Sequence, residues 1–198
     1  RNSPDNDWSG QPQGLTFQRS IRAMENYGHY AELTMIGKRF LQVIADSIKF
    51  VQQFDPFTAA PHGKDGYGPS ILASLEFLSR LYGVDVAMDS MCWSCISGNE
   101  DYTYTQYWNG VKYTIEVKDG IANCFINDRV CFSFSRGARI VTDLNGKLIK
   151  VIGIDEMPHS IALRYSGQHN LLIEPNAVYR LFVDGQIKKV EAVTFARP

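Results

Sequence analysis

The sequence lacks any long apolar run and any long run of like charge. No apolar stretch in its 198 residues approaches the roughly 20 residues that a membrane-spanning helix needs. Its 20 basic and 21 acidic side chains are interspersed and leave a formal net charge of -1. Such a balance gives no electrostatic attraction to nucleic acid or to an anionic membrane. We therefore expect neither of them as a partner.

Motifs for phosphate binding and for nucleophilic catalysis are also missing. The sequence has no phosphate loop of either common type, and no Ser-His-Asp or Cys-His set can be assembled from it. Its 44% apolar content is enough for a core without disulfide bonds, although it contains four cysteines. Cys92 and Cys95 have metal-like spacing, but no further Cys or His cluster follows them. We expect no metal ion and no cofactor.

Residues 1–83 are predicted to form a helical segment. Apolar residues recur at spacings of three and four between Thr16 and about Val51, with Gly28 between two antiparallel helices. A third helix is predicted to begin at Gly68-Pro69 and to stop at Gly83. Its predicted apolar stripe consists of Ile71, Leu75, Leu78 and Tyr82. Glu25 and Glu76 are expected to be solvated positions on these helices.

Residues 84–198 are predicted to form an antiparallel β-sandwich. The apolar period changes to two, and short strand candidates follow one another about every eight to twelve residues. Pairs such as Asn109-Gly110 and Asp119-Gly120 between them are typical of tight hairpins. The expected fold class is therefore α+β, with a helical segment packed on a sandwich.

One hairpin allows a prediction of strand register. A two-residue turn at Asn127-Asp128 pairs Ile126 with Arg129 and would bring Cys124 opposite Cys131. We expect these cysteines to be neighbours, as free thiols or as a cross-strand disulfide in an oxidising compartment. The predicted core face of the hairpin consists of Ile121, Phe125, Val130, Phe132 and Phe134.

The stretch between the second and third predicted helices is the best candidate for a functional site. Residues 51–69 contain three prolines, which disfavour regular structure, among aromatic, amide and acidic side chains. Long connections in compact domains are more often functional than short ones. Asp55 and Asp65 are either ligand contacts or plain turn formers, and His62 is either a ligand group or a hydrogen-bonding loop residue. Trp8 is either an anchor onto the fold or a platform for a ligand ring.

Four short segments of this region carry a family resemblance. They are residues 7–12 (DWSGQP), 15–18 (LTFQ), 23–28 (AMENYG) and 52–58 (QQFDPFT). Together they resemble the end of the catalytic domain of inverting glycosidases built as an (α/α)6 toroid, the group around glycoside hydrolase family 63 and its debranching and trehalase-like relatives. The sandwich is similar to the β domain that follows this toroid in several such enzymes.

The resemblance implies a sugar site without an intact catalytic apparatus. Gln52 occupies the position of the family's general base, and an amide cannot accept a proton as a carboxylate does. Asp55, three positions later, is the candidate for a displaced base. The family's general acid would lie upstream of residue 1, so the chain is expected to be the C-terminal region of a longer carbohydrate-active enzyme, inactive alone. The side chains expected to contact an oligosaccharide or polysaccharide are Trp8, Gln11, His62, Asp65 and Tyr67.

Two alternatives remain open from the sequence. The chain could be a carbohydrate-binding module, with a stacking platform formed by Trp93, Tyr102, Tyr104, Tyr107 and Trp108. It could instead be a structural domain whose apolar helix faces are covered by a second copy or by the missing part of the toroid. A periplasmic or extracellular location is favoured if the protein degrades polysaccharide.

Overall fold

The computed structural model, which describes residues 10–98 and 100–196, confirms the α+β fold class. The helices are α1 (Gly14–Asn26), α2 (Tyr30–Ser47) and α3 (Gly68–Tyr82). The strands are β1 (Gln53–Phe54), β2 (Pro61–His62), β3 (Val84–Ala87), β4 (Ser90–Cys95), β5 (Tyr102–Trp108), β6 (Val111–Lys118), β7 (Ile121–Ile126), β8 (Arg129–Ser135), β9 (Ala138–Asp143), β10 (Leu148–Gly153), β11 (His159–Arg164), β12 (Gln168–Ile173), β13 (Ala177–Leu181) and β14 (Ile187–Ala192). No helix in the described ranges is both long enough and apolar enough to cross a membrane.

The long strands form two six-stranded antiparallel sheets, and the helices cover one of them. The inner sheet, which contacts the helices, has the order β14-β13-β10-β9-β4-β3, and the outer sheet has the order β12-β11-β8-β7-β6-β5. Because successive side chains of a strand point to opposite faces, β4 contributes to two cores. Trp93 of β4 packs between the two sheets, whereas Cys92 packs against the helices.

The face that α3 buries differs from the predicted stripe. Leu75 and Leu78 are exposed, whereas Ala73, Phe77 and Leu81 are almost fully buried. The helix has apolar residues on more than one side, so periodicity alone does not select the buried one. Small side chains decide it: a Cβ added at Gly14 of α1 would lie 1.9 Å from Oγ of Ser70 and 3.0 Å from its Cβ, so α1 packs closely on this face of α3.

Two helix ends also differ from the predictions. α1 begins at Gly14, two residues before Thr16, where the helical pattern begins in the sequence. α2 ends at Ser47 rather than near Val51, because Ile48 adopts a left-handed conformation with a φ of 51°. The connection to α3 is therefore longer than predicted.

The register of the β7–β8 hairpin differs from the prediction because of a β-bulge. Phe125 pairs with Val130, but Cys124 pairs with Phe132, so Cys131 is an extra residue without a partner. One extra residue reverses the faces beyond it. The predicted pairing of Cys124 with Cys131 is therefore wrong: Cys124 is buried in the sandwich core, Cys131 is exposed, and both are free thiols, as are the other two cysteines. The observed core face of the hairpin consists of Ala122, Cys124, Phe132 and Phe134.

Four charged side chains, here called the charged cluster, join the helices to the inner sheet. Arg139 of β9 donates from Nη1 to Oε1 of Glu25 on α1 at 2.6 Å, and Arg80 Nε of α3 lies 3.1 Å from the same oxygen. Arg80 Nη2 also lies 3.4 Å from Oδ2 of Asp85 in β3. The interpretation of Glu25 as a solvated position is therefore wrong, and Glu76, 3.4 Å from Arg80, is paired as well. The partner of Glu25 stands 114 residues later, beyond the reach of a helix pattern.

The ion pairs of Glu25 predict an acid-sensitive contribution to stability. Burial would raise the pKa of Glu25, but Arg139 and Arg80 outweigh it and hold the pKa below its usual value. The ionised carboxylate therefore stabilises the fold above the ordinary glutamate pKa of about 4.3, and this stabilisation is lost as the pH falls through the lowered pKa. We expect Glu25→Gln to be destabilising at neutral pH and much less so at roughly pH 3. Urea unfolding of both proteins across this range checks it; a pH-independent difference would contradict it.

Candidate functional site

The connection between α2 and α3 is held against the start of α1. Its strands β1 and β2 form a short antiparallel ladder, in contrast to the predicted lack of regular structure. The ladder tolerates Pro61 because it is only two residues long and lies at an edge. Backbone N–H groups of Phe54 and Gly14 donate to the carbonyl oxygens of Pro12 and Gln52 at 2.9 and 3.0 Å. These bonds fix the position of the connection on the helices.

The end of the connection is tied to the first turn of α3. The Tyr67 N–H donates to the Phe50 carbonyl at 2.7 Å, and the buried Ser70 hydroxyl donates to the Val51 carbonyl at 2.6 Å. Pro69 stands in the first turn of the helix, where a missing N–H costs nothing. Both ends of the loop thus have a defined path, and its polar side chains are presented by a fixed backbone.

A cavity of about 380 Å³, here called the loop cavity, lies within this connection. It brings together four of the side chains singled out in the sequence, Gln52, His62, Asp65 and Tyr67. The sequence reasoning missed two further lining side chains, Gln53 and Lys64, although both adjoin predicted residues. The lining thus combines amides, an imidazole, an ammonium group, a carboxylate and a phenol.

Asp55 lies away from the loop cavity and stabilises its own turn. Its Oδ1 accepts hydrogen bonds from the Phe57 N–H at 2.9 Å and from the N–H and hydroxyl of Thr58 at 2.7 and 2.9 Å. These bonds to Thr58 and Phe57 lower the pKa of Asp55. The carboxylate lines a different, apolar groove with residues such as Pro12 and Phe17. This is the geometry of the turn former that the sequence allowed.

Asp65 combines a structural role with a place in the loop cavity. Its Oδ1 accepts from the N–H groups of Phe50 and Gly66 at 2.7 and 2.8 Å, and these bonds lower the pKa of Asp65. Its Oδ2 accepts no hydrogen bond from any residue that the structure describes. A carboxylate with a lowered pKa is a weak proton acceptor, but its second oxygen can still accept a hydrogen bond from a ligand hydroxyl.

Gln11, a further predicted contact, does not line the loop cavity. Gln11 precedes Pro12, and its Oε1 is buried without a hydrogen-bond partner among the described residues. Trp8 lies outside the described residues. No group of three or more His, Cys, Asp or Glu side chains in residues 10–98 and 100–196 is arranged to hold a metal ion.

The five aromatic residues considered as a stacking platform do not share an exposed face. Trp93 is fully buried, and its indole N–H donates to the Thr142 hydroxyl at 3.0 Å. Tyr102 and Tyr104 pack against the sandwich core. Tyr107 and Trp108 are exposed at the end of β5.

Comparisons of the chain with protein-family models, with curated proteins and with solved structures find no match.

Proposed function

We propose that the chain is the C-terminal region of a glycosidase-like, carbohydrate-active protein, and that its loop cavity binds an oligosaccharide without hydrolysing it. The observation that carries this proposal is the convergence of Gln52, His62, Asp65 and Tyr67 on one cavity. One of the four, Gln52, also falls in a segment that resembles the cleft of inverting glycosidases.

The lining of the loop cavity suits the hydroxyl groups of a sugar. The amide of Gln52 can both donate and accept hydrogen bonds, Lys64 can donate, and the Asp65 carboxylate can accept. Tyr67 adds an aromatic ring with a polar end, a common surface for a sugar ring. Because the backbone is fixed at both ends of the loop, little ordering remains to be done on binding.

The same lining argues for binding rather than hydrolysis. Inverting glycosidases use two carboxyl groups about 6.5–9.5 Å apart, one as acid and one as base. Among the residues that line the loop cavity, Asp65 carries the one carboxylate, and Gln52 stands where the resemblance expects the base. Asp65 is further committed to two backbone N–H groups. The chain alone is therefore expected to have no glycosidase activity.

A glycan-array screen tests this function with substitutions on two surfaces. We expect binding of an oligosaccharide that His62→Ala and Lys64→Ala each weaken by about tenfold, since each removes hydrogen bonds to the ligand. Both side chains are solvent-accessible and neither belongs to a core cluster, so the fold should survive.

Tyr107→Ala is the matched control, because Tyr107 is exposed on the sandwich and does not line the loop cavity. It should leave binding unchanged. Loss of binding with Tyr107→Ala but not with the loop variants would instead assign the sugar to the sandwich surface.

A second candidate function, a domain that mediates assembly, is favoured by one observation on α3. Leu72, Leu75 and Leu78 are 53%, 57% and 39% exposed, and their spacing of three places them along one side of the helix. A row of exposed leucines is typical of a surface that another polypeptide covers.

Sedimentation distinguishes this second function from sugar binding alone. If copies of the chain cover the leucine row of one another, the chain should sediment as an oligomer, and Leu75→Glu should give a monomer because it places a charge in the contact. Lys38→Glu, an exposed change on α2, is the control. A monomeric unmodified chain at high concentration would exclude self-assembly through this row.

A further inference from the structure

A second and larger cavity lies between the helices and the inner sheet, beside the charged cluster. It has a volume of about 530 Å³ and is here called the interface cavity. Four of its lining residues form a row across four neighbouring strands, paired one to the next: Asp85, Cys92, Val141 and Lys150. The row runs from a carboxylate at one end to an ammonium group at the other.

Helix α1 supplies the opposite wall. Arg22, Glu25 and Asn26 are three and four residues apart, so they share one side of the helix, and all three line the interface cavity. Ser90 of β4 and Tyr30 at the start of α2 add a hydroxyl and a phenol. Both walls thus carry polar side chains, beside apolar ones such as Val141 and Ile152.

The interface cavity carries an excess of positive charge. Its cationic side chains are Arg22, Arg80, Arg139 and Lys150. Its carboxylates are Glu25 and Asp85, so four positive charges face two negative ones and the lining has a net charge of +2. Burial raises the pKa of Asp85, and the neighbouring Arg80 opposes this shift.

The cationic side chains of the interface cavity differ in whether they are already paired with a carboxylate. Arg139 is buried and fully engaged, with donors to Glu25, to the Ser94 hydroxyl at 2.9 Å and to the Arg80 carbonyl at 3.0 Å. Arg22 and Lys150, by contrast, have no carboxylate within 4.0 Å in the part of the chain that the structure describes. Arg80 and Arg139 are therefore engaged within the charged cluster, whereas Arg22 and Lys150 remain available to a ligand.

We propose that the interface cavity binds a small oxyanion, a carboxylate or phosphate group, with Arg22 and Lys150 as its charged contacts. Arginine and lysine are the side chains that proteins use for such groups. The Asn26 amide can complete the hydrogen bonds of the anion or of the molecule that carries it. The volume lies in the range of small-molecule sites. This site is separate from the loop cavity and does not depend on the function proposed for it.

Calorimetric titration of the full chain with two anions tests this inference. The probes are inorganic phosphate and D-glucuronate, with D-glucose as the neutral control. We expect an anion to bind with a Kd of about 1 mM or tighter, more weakly at high salt, and glucose not to bind at this site. Phosphate binding without glucuronate binding would identify a phosphate site, and the reverse a carboxylate site.

Two matched double variants decide whether the proposed contacts are responsible. Arg22→Ala with Lys150→Ala should weaken anion binding at least about tenfold. Arg19→Ala with Lys147→Ala removes the same charges from exposed neighbouring positions that do not line the interface cavity, and it should leave binding unchanged. Arg22→Lys with Lys150→Arg keeps both charges and should retain binding, which separates lost contacts from misfolding.

The proposal is overturned if neither anion binds at about 10 mM. It is equally overturned if an anion binds as tightly to the Arg22→Ala, Lys150→Ala protein as to the unmodified chain while circular dichroism shows both to be folded.

Discussion

Replacing Arg139 with methionine is expected to lower the free energy of unfolding by about 3–5 kcal/mol, since it leaves a buried carboxylate without its closest partner. Arg139 Nη1 lies 2.6 Å from Oε1 of Glu25, and its other donors bind Ser94 and the Arg80 carbonyl. Methionine retains much of the volume but none of these contacts. Urea unfolding followed by circular dichroism measures the difference.

Arg180 provides the matched control for this prediction. It also lies near a glutamate, Glu191, but both side chains are largely exposed and the closest atoms are 4.0 Å apart. Arg180→Met should therefore change the free energy of unfolding by less than about 1 kcal/mol. Equal effects of the two substitutions would show that the charged cluster does not hold the helices to the sheet.

Replacing Trp93 with alanine should have an effect of similar size on the sandwich. The indole is fully buried, and its ring packs edge-on against Phe132 and Tyr113 at centroid distances of 5.4 and 6.0 Å. Its loss leaves a large cavity and also leaves the Thr142 hydroxyl without its donor, so we expect a cost of about 3–5 kcal/mol.

Trp108→Ala is the control for the cavity effect. Trp108 is 40% exposed at the end of β5, so its removal should cost less than half as much in the same unfolding measurement. A small cost for Trp93→Ala would mean that the indole is not part of the core. It would then restore Trp93 as a candidate for a surface platform.

The fold class could be predicted from the sequence because the change of period at residue 84 is sharp. Paired turn residues marked the hairpins, and Asn109-Gly110 indeed separates β5 from β6. The predictions of strand register and buried face that failed depended on single local features of the backbone. The bulge at Cys131 reversed the faces of one hairpin, and a pattern with a period of two contains no sign of one inserted residue.

The candidate site was predictable only in part, for a different physical reason. Prolines and polar aromatics in one stretch pointed to the loop that forms the loop cavity, which unites Gln52, His62 and Tyr67. Asp55 instead accepts hydrogen bonds from the N–H groups of Phe57 and Thr58, because the local turn brings these groups to its carboxylate. The partners of Glu25 come from distant elements, and no local pattern reveals them.

Amide chemical shifts during a titration test most directly whether the loop cavity binds sugar. The isotope-labelled chain would be titrated with the oligosaccharide that binds best on the array. We expect the largest shifts at Gln52 and at residues 62–67, with little change at Tyr107 and Trp108. Shifts confined to the sandwich, or none at any residue, would contradict it.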